Sequence, residues 1–329
     1  MPKWWEKADS VYSIVRCTQY AANRRTMKIS AYHPFRSAKA KAEYLALYDE
    51  KAKAWPVASE CRMIDTSYGQ TFVRISGPVD APPLVLLPGS GTCSLVWLPN
   101  IESLSESHRT YAVDTIINLG CVGRSVYTRT IKSPSGIAKW LDELFNALKL
   151  GDKINLVGLS YGGWLTSQYA LHSPDRLDRI VLVSPAATVL PIRLGFLLRM
   201  MLVALLPFRC SYKRFMYWVS KDGVRKNAQA AQSEFDDFMV AVRCFKPINQ
   251  KHVPAPTVLT DDELQSIKVP ALVLIGENEV HYSAQKAIHR LNTVAPQIQA
   301  EGIPHAGHDL VGVQVETVNQ KILEFLAQS

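Results

Sequence analysis

The chain has 329 residues, of which 47% are apolar and 20% are charged. This composition is typical of a soluble globular protein and excludes the disordered, collagen-like and disulfide-dense classes. The formal charge of +8 is scattered along the chain, so we expect no nucleic-acid partner. The six cysteines form no Cys-x-x-Cys pair, which argues against a metal site and favours a cytoplasmic protein. A pairing of Cys210 with Cys244 is left open.

Residues 1–58 predict an N-terminal helical extension. Ser37 to Ala54 is rich in Ala, Lys, Glu and Leu, which favour a helix, and Pro56 stops it. The basic and aromatic residues ahead of this segment are interpreted as a solvated helical face rather than a nucleic-acid arm. The chain start lacks a basic region followed by an apolar stretch, so we predict no secretory signal.

Short apolar or alternating runs predict strands from residue 61 onward. Arg62–Thr66 and Thr71–Ile75 flank Tyr68-Gly69 and indicate a hairpin. Uninterrupted apolar runs are typical of strands buried on both faces. Runs of this kind lie at Pro83–Leu87, Thr110–Val113, Ile154–Val157, Arg179–Val183 and Ala271–Ile275, with a shorter one near Ile298.

Helical patterns alternate with these strands. They cover Pro134–Leu148, the residues after Trp164, Ser283–Leu291 and Val313–Leu326. Strands that alternate with helices predict an α/β protein, in which a mostly parallel central sheet has helices on both faces.

The alternation stops between residues 187 and 266, where only helical patterns occur. We predict a helical cap, residues 187–266, inserted between two parts of a core formed by residues 59–186 and 267–329. The apolar segment Leu194–Leu206 is interrupted by Arg199. It is too short to cross a bilayer, which needs about 20 residues. We therefore predict a buried or pocket-lining helix and no stable membrane insertion.

The most informative motif is Gly158-Leu159-Ser160-Tyr161-Gly162, between a predicted strand and a predicted helix. A sharp strand-to-helix turn needs small residues two positions before and after its apex, because the two backbones approach closely. Such a turn exposes one hydroxyl, so Ser160 is the candidate nucleophile. The backbone N–H of Tyr161 and the helix N-terminus would stabilise an oxyanion beside it.

A second oxyanion donor is expected after the strand Pro83–Leu87. This strand runs into Pro88-Gly89-Ser90-Gly91, and a glycine-containing turn at a strand end exposes backbone N–H groups. The backbone N–H of Ser90 is therefore predicted to form the oxyanion hole together with that of Tyr161.

The candidate acid follows the strand Ala271–Ile275, in Gly276-Glu277-Asn278-Glu279. A carboxylate at a strand end can accept a hydrogen bond from an imidazole and stabilise its charged form. Glu279 is preferred and Glu277 is the reserve. Asp114 precedes the serine in the chain and is predicted to fix a loop. Asp261-Asp262 is interpreted as a helix N-cap.

The candidate base lies in Ile303-Pro304-His305-Ala306-Gly307-His308-Asp309. His308 is preferred because it follows a glycine and precedes the last helix, whereas His305 is expected to shape the loop. Nucleophile, acid and base then occur in the chain order Ser160, Glu279, His308, as a fold with a nucleophile elbow requires.

With these residues placed, the chain resembles the α/β-hydrolase superfamily, in particular bacterial carboxylesterase-like serine hydrolases with a helical cap. The likeness covers Ser59 to the C-terminus and rests on Gly158–Gly163, Gly276–Glu279 and Gly307-His308. The stretch Phe35–Pro88 is similar to the N-terminal part of one bacterial subgroup.

Three positions depart from the family pattern. Pro88 stands where many relatives have a histidine, and Glu279 stands where aspartate is commoner. The loop that follows Asp114 is lengthened by Ile116-Ile117-Asn118 ahead of Gly120. These changes are expected to alter loop shape and pocket walls rather than the chemistry.

The resemblance implies hydrolysis of carboxylic esters through an acyl-enzyme on Ser160, without a metal or an organic cofactor. The apolar cap predicts small to medium apolar substrates. Lactone, carbon–carbon bond or perhydrolysis chemistry on the same triad remains an alternative, because one fold hosts many reactions. A ligand-binding protein without catalysis is a further alternative. A homodimer is left open.

Overall fold

The computed structural model describes residues 30–117, 123–246 and 253–328. Its centre is one sheet of nine strands. The strands are β1 (Ser59–Thr66), β2 (Gly69–Ser76), β3 (Pro83–Leu87), β4 (Arg109–Asp114), β5 (Val126–Tyr127), β6 (Ile154–Leu159), β7 (Leu177–Val183), β8 (Ala271–Gly276) and β9 (Ile298–Ile303). The predicted strands therefore occur at the predicted places, and only the short β5 was not foreseen.

The strand order is β1-β2-β4-β3-β6-β7-β8-β9. The short β5 pairs with Gly69 and Gln70 at the start of β2. The hairpin β1–β2 and the pairing of β2 with β4 are antiparallel. All pairings from β4 to β9 are parallel. The carboxyl ends of β3, β6, β8 and β9 therefore meet at one edge, which is where open α/β sheets place their ligand sites.

The helices flank the sheet or lie between β7 and β8. They are α1 (Ala38–Ala52), α2 (Ile101–Ser107), α3 (Pro134–Ala147), α4 (Tyr161–His172), α5 (Leu194–Leu205), α6 (Arg209–Val219), α7 (Lys221–Lys226), α8 (Ala228–Cys244), α9 (Asp261–Ser266), α10 (Ala284–Val294), α11 (Leu310–Val313) and α12 (Val315–Leu326). The predicted last helix, Val313–Leu326, corresponds to α12, and the short α11 that precedes it was not predicted.

Both faces of the central strands are buried, as the apolar runs predicted. In β3, Val85 and Leu87 belong to the hydrophobic cluster on one face, and Leu84 and Leu86 belong to the cluster on the other. All four are fully buried. Alternate side chains of a strand point to opposite faces, so each central strand contributes to both layers of the core.

The N-terminal region contacts the segment between β7 and β8. Phe35 pairs in a β-bridge with Phe245, just after α8, and their rings lie 4.5 Å apart. Tyr44 of α1 packs on the same ring at 4.7 Å. The predicted helical extension was too broad, because α1 is the one helix among residues 30–58. Residues 1–29 lie outside the described part of the chain.

The structure narrows one prediction for the segment after β7 and corrects another. Of the residues in α5, Phe196 alone is buried. Phe196 and Arg199 line a cavity, so α5 is the pocket-lining helix of the two predicted alternatives. The N-cap of α9 is Thr260, whose hydroxyl accepts from the Glu263 N–H at 3.1 Å. Asp261 lies in the first turn instead and pairs with Arg290 at 2.6 Å.

Two further observations concern the pairing of Cys210 with Cys244 and the presence of membrane-spanning helices. Cys210 and Cys244 are both free thiols, the first exposed and the second buried. Among the described residues, no helix combines the length and the apolar character that are needed to cross a membrane.

Candidate active site

Ser160 lies at the sharp turn between β6 and α4. Its backbone has φ 52° and ψ −112°, a strained conformation for a residue with a side chain. Two glycines make the turn possible. A Cβ on Gly158 would lie 2.2 Å from the Gly162 carbonyl oxygen, and a Cβ on Gly162 would lie 2.5 Å from that of Leu87. Any larger residue at either position would force the backbones apart.

Backbone hydrogen bonds hold this conformation in place. The Ser160 N–H donates to the Val183 carbonyl at the end of β7, at 2.8 Å. The Ser160 carbonyl accepts from Trp164 of α4 at 3.1 Å and from Ala186 at 3.0 Å. The apex is thus tied to both the next strand and its own helix, so the hydroxyl projects from a rigid support.

The loop after β3 passes directly beside Ser160. A Cβ on Gly89 would lie 3.3 Å from the Ser160 Cβ, and the next residue, Ser90, is exposed. Tyr161 is the first residue of α4, where backbone N–H groups have no intrahelical acceptor. The two backbone groups named from the sequence, those of Ser90 and Tyr161, therefore belong to the two segments that adjoin the hydroxyl.

Ser160, His308 and Glu279 form one hydrogen-bonded chain. The Ser160 Oγ lies 2.9 Å from the His308 Nε2, and the His308 Nδ1 lies 2.9 Å from the Glu279 Oε2. Glu279 follows β8 by three residues, and His308 lies in the loop between β9 and α11. The fold thus brings together three residues that are separated by up to 148 positions.

The Glu279 carboxylate is completely buried but well supplied with donors. Its Oε1 accepts from the backbone N–H groups of Val280 at 2.8 Å and of His281 at 2.9 Å. Burial acts to raise the pKa of Glu279. The neighbouring His308 charge and the hydrogen bonds from His281 and His308 oppose burial and hold the pKa well below its usual range. Glu279 is therefore an ionised acceptor.

His281 is a member of the site that sequence reasoning missed. Its Nδ1 lies 3.0 Å from the Glu279 Oε1 and 3.0 Å from the His308 Nδ1. Burial, reinforced by the His308 charge, lowers the pKa of His281 to about 4, although Glu279 opposes this shift. His281 is thus neutral near pH 7, and its Nδ1–H can donate to Glu279. Its position two residues after the acid was the available signal.

The other sequence candidates lie outside this chain of hydrogen bonds. Glu277 and His305 are exposed, and His305 has φ 56°, as suits a residue that shapes a loop. Asp114 is fully buried, and its carboxylate accepts from the backbone N–H groups of Ser94 and Arg124, each at 2.8 Å. The predicted loop-fixing role of Asp114 is confirmed by these two bonds.

Among the described residues, one group of side chains has the donor atoms and the spacing to hold a metal ion: Glu279, His281 and His308. Their ligand atoms lie within 4.8 Å of one another. The same atoms make the hydrogen bonds described above, so a metal would compete with the contact between His308 and Glu279.

The helices between β7 and β8 form walls near the site. A cavity of about 580 Å³ lies beside Glu279, and its lining includes Phe196 of α5 and Trp218 of α6. The Phe196 ring packs 4.2 Å from that of His281. The half-buried Phe238 of α8 approaches the loop after β3, where a Cβ on Gly91 would lie 3.8 Å from its ring. Aromatic side chains therefore lie beside His281 and beside the loop that adjoins Ser160.

Comparison with known proteins agrees with this geometry. The model of the alpha/beta hydrolase family matches residues 84–320. Carboxylesterase YbfK of Bacillus subtilis is 34% identical over 284 residues, which are 85% of this chain and 92% of the relative. The uncharacterized carboxylesterase nap of the same organism is 36% identical over 293 residues, 86% of this chain and 91% of the relative.

Solved structures give the same result. The crystal structure of naproxen esterase from Bacillus subtilis superposes with a TM-score of 0.79 at 33% identity, covering 88% of this chain and 99% of that one. The crystal structure of carboxylesterase CesB from the same organism gives a TM-score of 0.78 at 32% identity, with the same coverage. The strand order, the serine at the β6–α4 turn and these matches together show that the chain belongs to the alpha/beta hydrolase family.

Proposed function

We propose that the protein hydrolyses carboxylic esters through an acyl-enzyme on Ser160. The observation that carries this proposal is the hydrogen-bonded chain from the Ser160 Oγ through His308 to Glu279, with both links at 2.9 Å. The Bacillus subtilis relatives described as carboxylesterases support an ester as the substrate.

The reaction has two halves. The Ser160 Oγ attacks the ester carbonyl carbon while its proton passes to the His308 Nε2. The tetrahedral intermediate then expels the alcohol, which takes that proton from His308. A water molecule next attacks the acyl-enzyme, with His308 as general base, and releases the carboxylic acid. His308 thus alternates between base and acid at one nitrogen.

Glu279 keeps the His308 Nδ1 protonated and turned away from Ser160. This leaves the Nε2 lone pair directed at the hydroxyl, and the buried carboxylate stabilises the imidazolium that forms. The backbone N–H groups of Ser90 and Tyr161 are the proposed oxyanion donors. Two donors in fixed backbone positions stabilise the charge that develops in the transition state without reorganising.

The substrate class follows from the walls of the site. Phe196 packs on His281, and Phe238 approaches the loop after β3 that adjoins Ser160; this aromatic surface supports apolar esters of small to medium size. We assign both rings to a cap formed by residues 187–266. The naproxen esterase among the structural relatives supports a substrate that includes an aryl group. The reduced thiols of Cys61 and Cys244 support a cytoplasmic location.

The test is the hydrolysis of p-nitrophenyl esters of increasing acyl length by the wild type and by Ser160→Ala. We expect turnover by the wild type and a loss of about 10⁴-fold or more in kcat for the variant, because the variant keeps only binding and the oxyanion hole. Thr92→Ala, at a hydroxyl of the neighbouring loop that donates to the Gly89 carbonyl, is the matched control.

A fluorophosphonate probe distinguishes the alternatives. Labelling of Ser160 without turnover of any ester would assign the triad to another substrate, such as a lactone. The absence of both labelling and turnover would contradict catalysis and favour a ligand-binding protein.

A further inference from the structure

Helix α5 is apolar but almost entirely in contact with solvent. Leu194 is 68% exposed and Leu205 is 69% exposed, whereas Phe196 is 6% exposed. Seven further large apolar side chains between residues 197 and 208 are exposed by two fifths or more; they are Leu197, Leu198, Met200, Met201, Leu202, Leu206 and Phe208. An exposed apolar patch of this size on a monomer marks a surface that another molecule covers.

The exposed side chains form a continuous face rather than a scatter. At 100° per residue, Leu194, Leu198, Met201 and Leu205 fall on one stripe, and Leu197 and Leu202 flank it. Phe196 and the half-buried Val203 fall on the opposite side. Because Phe196 packs on His281 of the core, the leucine stripe faces away from the protein.

The surroundings of this stripe are basic. Residues 180–221 contain no Asp or Glu, and residues 187–246 contain ten basic residues against four acidic ones. That segment therefore has a net charge of +6. Arg193, Arg199 and Lys221 share the rim of the cavity beside α5. None of these three takes part in an ion pair with another described residue; the nearby Arg209 pairs with Asp236.

The charge around the stripe distinguishes between two partners that could cover it, a second copy of the chain and a lipid surface. In a two-fold dimer the same patch meets itself, so the basic residues beside both stripes would face each other, and residues 180–221, which include α5 and α6, have no Asp or Glu to pair with them. An anionic lipid surface supplies apolar acyl chains and negative headgroups together. An apolar helix face bordered by Lys and Arg is the arrangement that lies in a lipid interface.

We propose that the leucine stripe of α5, together with the basic residues beside it, docks the protein on an anionic lipid surface. The helix would lie in the interface with Leu194, Leu198 and Leu205 among the acyl chains. Its opposite side, through Phe196 and His281, would keep the catalytic site within one helix diameter of the lipid. The docking surface is independent of the proposed ester hydrolysis.

The test is co-sedimentation of the full chain with phosphatidylcholine vesicles that contain roughly 30% phosphatidylglycerol, against vesicles of phosphatidylcholine alone. We expect binding to the anionic vesicles, and a loss of binding at roughly 0.5 M salt, where the Debye length is shorter than about 5 Å. The double variant Leu198→Asp with Leu205→Asp should bind roughly tenfold more weakly or worse.

Matched controls keep the test specific. Met63→Asp with Val79→Asp places the same two charges on apolar residues that are 40% and 78% exposed and lie far along the chain, and this variant should bind as the wild type does. Arg193→Gln with Lys221→Gln should weaken binding by about fivefold per charge. Hydrolysis of a short, water-soluble ester by each variant shows that it is folded and reports on the proposed function separately.

Three outcomes would overturn the proposal. The wild type would fail to bind anionic vesicles, or the double leucine variant would bind as well as the wild type. In the third, light scattering would show a wild-type dimer that the leucine variant converts to a monomer, without vesicle binding by either protein. That result would assign the stripe to a second copy of the chain.

Discussion

At the residue scale, the buried carboxylate of Glu279 explains why several hydrogen-bond donors surround it. A charge in a fully buried position is unfavourable unless donors surround it. Two backbone N–H groups and two imidazoles supply those donors. His281 therefore has a definite task, which is to hold one oxygen of Glu279 so that the other faces His308. It is a positioning residue and does not touch the substrate in the proposed mechanism.

Replacing His281 tests this task. In His281→Phe the Glu279 Oε1 loses its side-chain donor but keeps its two backbone donors, so we expect kcat to fall about tenfold while KM stays within about twofold. His281→Asn carries an amide N–H near the position of the Nδ1–H and should recover most of the rate. Steady-state kinetics on one p-nitrophenyl ester measures both constants.

A merely structural role for His281 predicts a different pattern. Both variants would then lose activity in proportion to their loss of folded protein, and the asparagine variant would show no recovery of kcat. Equal rates for the wild type and the phenylalanine variant would also contradict the positioning role.

The sequence identified the three site residues that belong to recognisable motifs. It missed His281, whose place in the site depends on packing. Ser160 is announced by a glycine at each second neighbour, and Glu279 and His308 follow strands in a recognisable order. His281 belongs to no motif, and its position two residues after Glu279 is a weak signal. Its contact with His308, 27 positions away, depends on how the ends of β8 and β9 are placed, which no local pattern encodes.

At the element scale, the turn between β6 and α4 depends on the closeness of two backbones. A Cβ on Gly162 would lie 2.5 Å from the Leu87 carbonyl oxygen and 2.7 Å from that of Pro88. These contacts are with backbone atoms of β3 and its loop, which side-chain rotation cannot relieve. The glycine therefore sets the distance between α4 and the loop that carries Ser90.

We expect Gly162→Ala to lower the free energy of unfolding by about 1–3 kcal/mol, because overpacking forces the backbone to shift. Gly312→Ala in α11 is the matched control, since a Cβ there meets nothing within 4 Å; it should be neutral or slightly stabilising. Urea unfolding of both variants measures the difference. A Gly162→Ala variant as stable as the control would show that the loop after β3 can move aside.

Patterns along the chain predicted strands better than they predicted which side of a helix is covered. Strands β3, β6, β7 and β8 are buried on both faces, so an uninterrupted apolar run is sufficient evidence for them. Helix α5 has an equally apolar sequence, yet its leucines are exposed. Apolar character shows that a face needs a partner, but it does not show whether that partner is the same molecule.

At the scale of the whole molecule, the sheet, the N-terminal region and the helices between β7 and β8 act as one packed unit. Helix α1 packs on the ring of Phe245, just after α8. It also contacts α8 itself through an ion pair between Lys51 and Asp237 at 2.5 Å. The N-terminal region thus braces the segment that carries Phe238. Buried titratable groups near the site then couple the stability of the entire fold to pH.

His281 sets the direction of that coupling. Its pKa is about 4 in the folded protein and about 6.5 in the unfolded chain. Between these values the unfolded chain binds a proton that the folded protein does not, so stability rises with pH across this window. Glu279, whose pKa is held low, acts in the same direction at lower pH, because its stabilising charge is lost as pH falls through its folded pKa.

We therefore expect the melting temperature to fall as pH is lowered from about 7 to about 4.5, where His281 accounts for part of the slope. The variant His281→Phe removes that titration and should show a shallower fall over the same range. His289→Phe, at an exposed position on α10, is the matched control and should keep the wild-type slope. Calorimetry at several pH values measures the melting temperature of each protein. A slope that is equal in the wild type and in His281→Phe would contradict a neutral, buried His281, because a residue already protonated in the folded protein contributes no stability that acid can remove.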